Sequence, residues 1–243
     1  MKSEIIERPD GKLVLPSDGD PAVKRVEGRR QIAVGLDLAM RRDKTAFCAI
    51  ELVQRPRWVH SQLQELEDPE MTVMAGNFVE ALNYHELVQT IMNLCKKPEL
   101  ARAKLVVDIG ASGRAWADAF AAHAYYEHLK NVIRVQITAG EKDKNVGGHW
   151  NVARNLLLEG TGNAIQNGDL KLADFPMRDT LKSELEGFVV KMGSTGRKKI
   201  EGGSTKRGAS HADLATACAL AHWALSNPHI MGNYGPRPLA GMV

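Results

Sequence analysis

Asp37, Asp108 and Asp213 are the residues whose type and setting could do chemistry. Asp37 closes the run QIAVGLD, in which Ile32, Val34 and Leu36 alternate with the small Ala33 and Gly35. That is how a strand buried on both faces reads. Asp108 closes a second apolar run, KLVVD, and Asp213 stands in the first turn of an alanine-rich stretch, HADLATACALAHWALS. A carboxylate in such a setting is costly unless a cation or hydrogen bonds satisfy it. If the two runs are neighbouring parallel strands, their ends meet, and a late helix over that edge adds the third acid. Three carboxylates this close repel one another and are hard to keep ionised without cations. Mg²⁺ or Mn²⁺ suits them, because hard ions take oxygen ligands and keep waters. A pair of such ions can activate a water and stabilise the leaving oxygen of a phosphodiester.

Each acid also has a plainer role open to it. Asp37 could brace a turn, and Asp108 could cap a helix after Gly110. Asp213 could close an S-x-x-D capping box with Ser210. Cations accompany the acids: Arg41, Arg42 and Lys44 follow the first strand, and Arg197, Lys198, Lys199, Lys206 and Arg207 precede the last helix. Of these, Arg41, Arg42, Lys198, Lys199 and Arg207 are the expected contacts to a nucleic-acid backbone, which would be sequence-independent and salt-sensitive.

The elements needed to bring these residues together are legible in outline. Residues 1–28 are polar, hold Pro9, Pro16 and Pro21, and read as an extended arm for which disorder is one outcome. Strands at 31–38, 45–53 and 57–66 form an expected antiparallel meander, with 67–81 as loop. A helix at 83–97 is capped by Asn83 and turns Leu87, Ile91 and Leu94 inward. Strand 104–109, a helix at 114–128 and strand 131–137 make a βαβ unit with parallel strands. A polar loop at 138–148, a helix at 149–166, a short strand at 168–173 and a helix at 177–186 come next. A basic β-hairpin around Gly-Ser-Thr-Gly and a helix at 211–226 complete the domain, 29–226, and 227–243 is a loose tail. Trp116, Trp150 and Trp223 are expected in helices, facing the core.

The 243 residues are 44% hydrophobic and 25% charged, which suits one α/β domain with a mixed sheet and helices on both faces. No apolar run could cross a bilayer, and the N-terminal stretch has no h-region, so a cytoplasmic protein without membrane contact is expected. Cys48, Cys95 and Cys218 lack metal-ligand spacing and read as small core residues in a reducing compartment. The net charge of +3 is too mild to establish a nucleic-acid partner, and the clustering of the cations says more.

The ordered set GLDLAMRRDKTA, VVDIGASG and SHADLATACALA resembles the nuclease domain of viral terminase large subunits, of the ribonuclease-H-like superfamily. HWNVARNLLLEG, DLKL, SELEGFVV and the basic hairpin follow the same order of pieces, so the resemblance runs from about residue 31 to 226. It implies a two-metal-ion endonuclease for double-stranded DNA acting during phage genome packaging. Asp37, Asp108 and Asp213 fall on the family's metal-binding acids, Asp43 on an accessory acid, and His211 where a water or phosphate could be oriented. Relatives often carry two adjacent acids where this chain has Ala212-Asp213. The family joins the nuclease to an ATPase motor, yet no GxxxxGK[ST] occurs here, so a separate packaging ATPase, a small terminase subunit or a portal are implied partners. Alternatives carried beside this are a junction resolvase, a non-catalytic DNA-binding module of the same fold, and an actin-like kinase. The kinase is disfavoured by the lack of a second phosphate loop.

Overall fold

The computed structural model describes residues 4–17, 19–38, 45–80, 83–100, 102–110, 132–192, 198–202 and 212–231. Its centre is β3 (Glu27–Asp37), which pairs antiparallel with β4 (Thr45–Gln54) on one edge and parallel with β8 (Lys104–Asp108) on the other. β9 (Val132–Thr138) extends the parallel part from β8, then β11 (His149–Ala153) from β9, and β10 (Lys144–Val146) closes that side antiparallel. Beyond β4 lie β7 (Glu70–Val79), antiparallel, and β12 (Leu170–Leu172), parallel to β7. This is the α/β mixed sheet expected from the sequence, an antiparallel part joined to a parallel one.

Alternation along β3 decides what each face receives. Ile32, Val34 and Leu36 join Phe47, Ala49, Leu105 and Val107 on the face covered by α1 (Tyr84–Cys95). Ala33 belongs to the opposite core, with Ala46, Cys48, Ile50 and Val106. Gly35 and Asp37 follow Ala33 by the two-residue period, and Asp108 follows Val106 in the same way, so both acids face that second side. There lie α2 (Arg154–Asn167), α3 (Arg178–Glu186) and α4 (Asp213–Ser226). From Leu214 to Leu225 every residue of α4 is buried, as befits a helix apolar all round, sandwiched between sheet and outer helices.

Several expectations need correcting. The arm at 1–28 contributes β1 (Ile6–Glu7) and β2 (Lys12–Val14), and β2 pairs with the start of β3. Leu13 and Leu15 are buried, and Arg102 ties the segment down by ion-pairing Glu7 and donating to the carbonyls of Arg8 and Pro9 at 3.2 and 3.0 Å. The meander's third strand is β7, not 57–66. The latter folds as a separate hairpin of β5 (Pro56–His60) and β6 (Leu63–Leu66). Gln64 explains its docking: its buried side chain donates to the Leu15 carbonyl (3.3 Å) and accepts from the Val26 amide (3.4 Å). Residues 149–153, expected as the start of a helix, are β11, so Trp150 sits on a strand, edge-on to Trp223 at 5.9 Å.

Other elements match expectation. Asn83 caps α1, accepting from the Glu86 amide at 3.0 Å. β13 (Phe188–Met192) and β14 (Lys198–Gly202) form the basic hairpin. The three cysteines are free and buried. The helix at 114–128, with Trp116, lies outside the described residues. α5 (Pro228–Met231) begins the tail, its carbonyls accepting from Gln31 and Lys104. Among the described residues no helix is long and apolar enough to cross a membrane.

His222, on α4, reports on this core. Thr161 Oγ1 donates to the Leu157 carbonyl (3.0 Å) and so accepts from His222 Nδ1 (3.0 Å), leaving Nε2 to accept from Ser226 Oγ (3.2 Å). Burial pushes the imidazole down to about 4 from 6.5, against a smaller upward pull from Asp169. The unfolded chain therefore binds the extra proton first. The contribution of His222 to stability is whole above pH 6.5 and falls as pH drops toward 4, by about 2–3 kcal/mol. Urea midpoints of wild type and His222→Gln, compared at pH 7 and again at pH 4.5, isolate it: the variant should gain on wild type at the lower pH.

Candidate metal centre

The site is built at the C-terminal edge of the parallel strands. Leu36 pairs with Val107, so Asp37 and Asp108 end adjacent strands, about 4.8 Å apart in the hydrogen-bonding direction. Asp108 is held in an Asx turn, its Oδ1 accepting from the Gly110 amide at 2.9 Å, with a second backbone bond from Ile137. Asp213 arrives from above as the first residue of α4. The close approach of that helix to β3 comes from Gly35: a Cβ there would overlap the Ala217 carbonyl oxygen and lie 2.9 Å from the Ala221 nitrogen.

Electrostatics shows which acids face one another. The Asp37 carboxyl is pushed up to about 8, mainly by burial, then by the charge of Asp213 and next by that of Asp108. Asp108 is also raised by burial, opposed by its backbone hydrogen bonds and by Arg154. Asp37 is thus the middle member, flanked by an acid from the next strand and one from the helix. Two further residues reach it. Arg154 lowers its pKa and Glu184 raises it.

Sequence reasoning missed both. Arg154 opens α2, where a cation opposes the helix dipole, and Glu184 stands in the last turn of α3, where an acid does the same. Charges at the disfavoured ends of two helices are a signal the sequence carried. A third missed residue is Asp143, which joins the end of β11 to α4: it accepts from the Ala153 amide at 3.0 Å and from Trp223 Nε1 at 2.7 Å.

Ser210, the partner in the capping box considered for Asp213, lies outside the described residues. The N-cap of α4 is Ala212, in the left-handed region at φ 66°, with no side-chain cap, and Asp213 is the first helical residue. Arg41, Arg42, Asp43, Arg207 and His211 lie outside the described residues. Lys198 and Lys199 are on β14, beside α2, and their side chains lie outside the described features.

The donor set fits a hard divalent ion. It consists of carboxylate oxygens only, and the like charges that raise Asp37 are what a dication would relieve. Among the described residues no three ligating side chains gather tightly enough to hold one ion by themselves. Mg²⁺ in particular is commonly held by one or two carboxylates plus waters and a substrate phosphate.

Comparison with known proteins supports this architecture. The large terminase nuclease of thermophilic phage G20c with bound magnesium matches over 89% of this chain and 89% of its own, at TM-score 0.52 and 16% identity. The same nuclease with bound cobalt matches over the same shares at TM-score 0.52 and 15% identity. The large terminase nuclease domain of Thermus phage P74-26 matches over 95% and 90%, at TM-score 0.48 and 14% identity. No protein-family model and no curated protein matches the chain. By the two G20c matches the fold is that of the large terminase nuclease, the ribonuclease-H-like arrangement expected from the sequence.

Proposed function

We propose that the chain is a metal-dependent endonuclease for double-stranded DNA of the terminase type, its ATPase motor residing outside these residues. The observation that carries this is that Asp37 and Asp108 end the paired strands β3 and β8, against which the helix opened by Asp213 packs closely at Gly35. It is supported by the fold of a nuclease that has been seen with bound magnesium and with bound cobalt. Asp37, Asp108 and Asp213 would hold the Mg²⁺ or Mn²⁺ ions, two of them in this reading. Bound there, the ions supply activation of water and stabilisation of the leaving oxygen.

The protein's own residues do the rest. The Gly110 amide and Ile137 hold the Asp108 carboxylate in one orientation. Arg154, exposed at the start of α2 and within electrostatic reach of Asp37 and Asp108, offers a cation to the incoming phosphate. Arg41, Arg42, Lys198, Lys199 and Arg207 are proposed to hold flanking backbone phosphates, and Asp43 and His211 to assist at the centre. A packaging ATPase, a small terminase subunit or a portal would bring DNA to the site. The reaction would take place in the cytoplasm of an infected or prophage-bearing host.

Incubation with supercoiled plasmid and Mn²⁺ or Mg²⁺ tests it. Nicked and linear products that vanish with chelator are expected. DNA retention on a gel with no metal-dependent cutting would leave a non-catalytic binding module of the same fold. Preference for four-way junctions over linear duplex would point instead to a resolvase.

A further inference from the structure

The first turn of α4 is poorly provided for by its own sequence. A helix start leaves several amides without intrahelical partners, and a Ser, Thr, Asp or Asn at the N-cap normally supplies an acceptor. Here the N-cap is Ala212, which has none and sits in a strained left-handed conformation. The acceptor comes from another helix. Glu184 Oε2, on α3, accepts from the Ala215 amide at 2.8 Å. A carboxylate accepting from a backbone N–H is a charge-assisted bond, and it also faces the positive end of the helix dipole. Ala215 is two residues beyond Asp213, in the same turn, so what fixes its amide fixes the start of the helix.

That placement explains two oddities together. Glu184 stands near the wrong end of its own helix for a carboxylate, and α4 opens without a cap. The first is compensated by the second. The geometry points to Glu184 as a positioning residue: by capping the Ala215 amide from α3, it holds the first turn of α4 in the register that sets Asp213 against Asp37. This rests on the nuclease reading for its consequence in cleavage, but the capping itself is a property of the metal-free protein.

The test compares Glu184→Gln, which keeps an acceptor for the amide, with Glu184→Met, which keeps the bulk and removes it. Two readouts are needed. Hydrogen exchange at the Ala215 amide without metal should be about tenfold faster in Glu184→Met than in wild type, the size of one charge-assisted hydrogen bond, and clearly slower than that in Glu184→Gln, whose neutral oxygen still accepts. In plasmid cleavage, the Mn²⁺ concentration for half-maximal rate should rise about tenfold in Glu184→Met and recover in Glu184→Gln, with DNA retention in chelator unchanged. If Glu184→Met does not fold, Glu184→Asp, which draws the carboxylate back by one methylene, carries the same comparison. Unaltered exchange and unaltered metal dependence in Glu184→Met would overturn the proposal. So would a Glu184→Gln as impaired as Glu184→Met, because charge rather than the cap would then be what matters. A wild type that never cuts, with Ala215 protection behaving as expected, would instead count against the nuclease reading.

Discussion

Asp37→Asn should abolish metal-dependent cleavage and, in the same protein, raise the stability of the metal-free state at alkaline pH. The loss of cutting is expected to be about a thousandfold or more, the scale of removing a group at the reacting centre. The gain in stability follows from the elevated pKa. In the unfolded chain this carboxyl titrates near 3.8, in the folded protein near 8. Below pH 4 both states carry the proton and the group is without cost. Between pH 4 and 8 the folded state binds the proton more tightly, so stability falls as pH rises, and above 8 the full penalty is in force. Asparagine never ionises. Its advantage should therefore be absent near pH 4 and on the order of 2–4 kcal/mol above pH 8.

A divalent ion should reverse the order. Mn²⁺ should bind the ionised acids and raise the melting temperature of wild type by mass action, while Asp37→Asn should respond little. Metal and proton compete for the same carboxyl, so the apparent affinity for Mn²⁺ should climb with pH and level off near 8. Thermal melts at pH 5 and 8.5, each with chelator and with Mn²⁺, separate these effects. An Asp37→Asn protein that cuts at the wild-type rate would remove Asp37 from the centre. One that is no more stable than wild type at pH 8.5 would mean the acids do not repel as placed.

The trade between function and stability bears on what the sequence could reveal. Asp37 and Asp108 were visible because they interrupt apolar strands, where no structural need calls for a charge. The parallel pairing of β8 with β9 was legible from the βαβ order of that segment, whereas the pairing of β3 with β8 entered only as the condition for the two acids to meet. By contrast, β7 was hidden because EMTVMAGNFV mixes small and polar residues, and its pairing partner β4 supplies the apolar surface that reveals it as a strand. The same is true of the arm: Leu13 and Leu15 are too few to announce strands, and it is the first residues of β3, the buried Gln64 and Arg102 that hold them. The boundary at 149–153 was lost because HWNVA lies against RNLLLEG with no glycine or proline between. Its strand is defined by parallel pairing to β9, a long-range fact. Arg154 and Glu184 were passed over for a different reason. Charged residues on amphipathic helices are ordinarily solvated, and only their places at the unfavourable helix ends distinguish them.

Among the described glycines, Gly35→Ala should be the most damaging added methyl. Gly35 lies on the face of β3 that meets α4, two residues before Asp37, and opposite Cys48 on β4. The added carbon would overlap the Ala217 carbonyl oxygen and press on its carbonyl carbon and the Ala221 nitrogen. These are backbone atoms of a buried helix, so no side chain can swing aside, and either β3 or α4 must shift. Overpacking of this kind costs about 1–3 kcal/mol and here belongs at or above the upper end. Gly76→Ala is the control. Its new carbon would meet Leu214 Cδ1 at 3.1 Å, the tip of a side chain that can yield, and it should lose far less. The two variants should differ in function as well as in denaturation midpoint. Lifting α4 from β3 carries Asp213 away from Asp37, so surviving Gly35→Ala protein should show a weakened Mn²⁺-dependent rise in melting temperature, while Gly76→Ala keeps it. Equal stability of the two variants would mean that β3 and α4 do not touch where the glycine permits it, and the carboxylates would then need another route to their meeting.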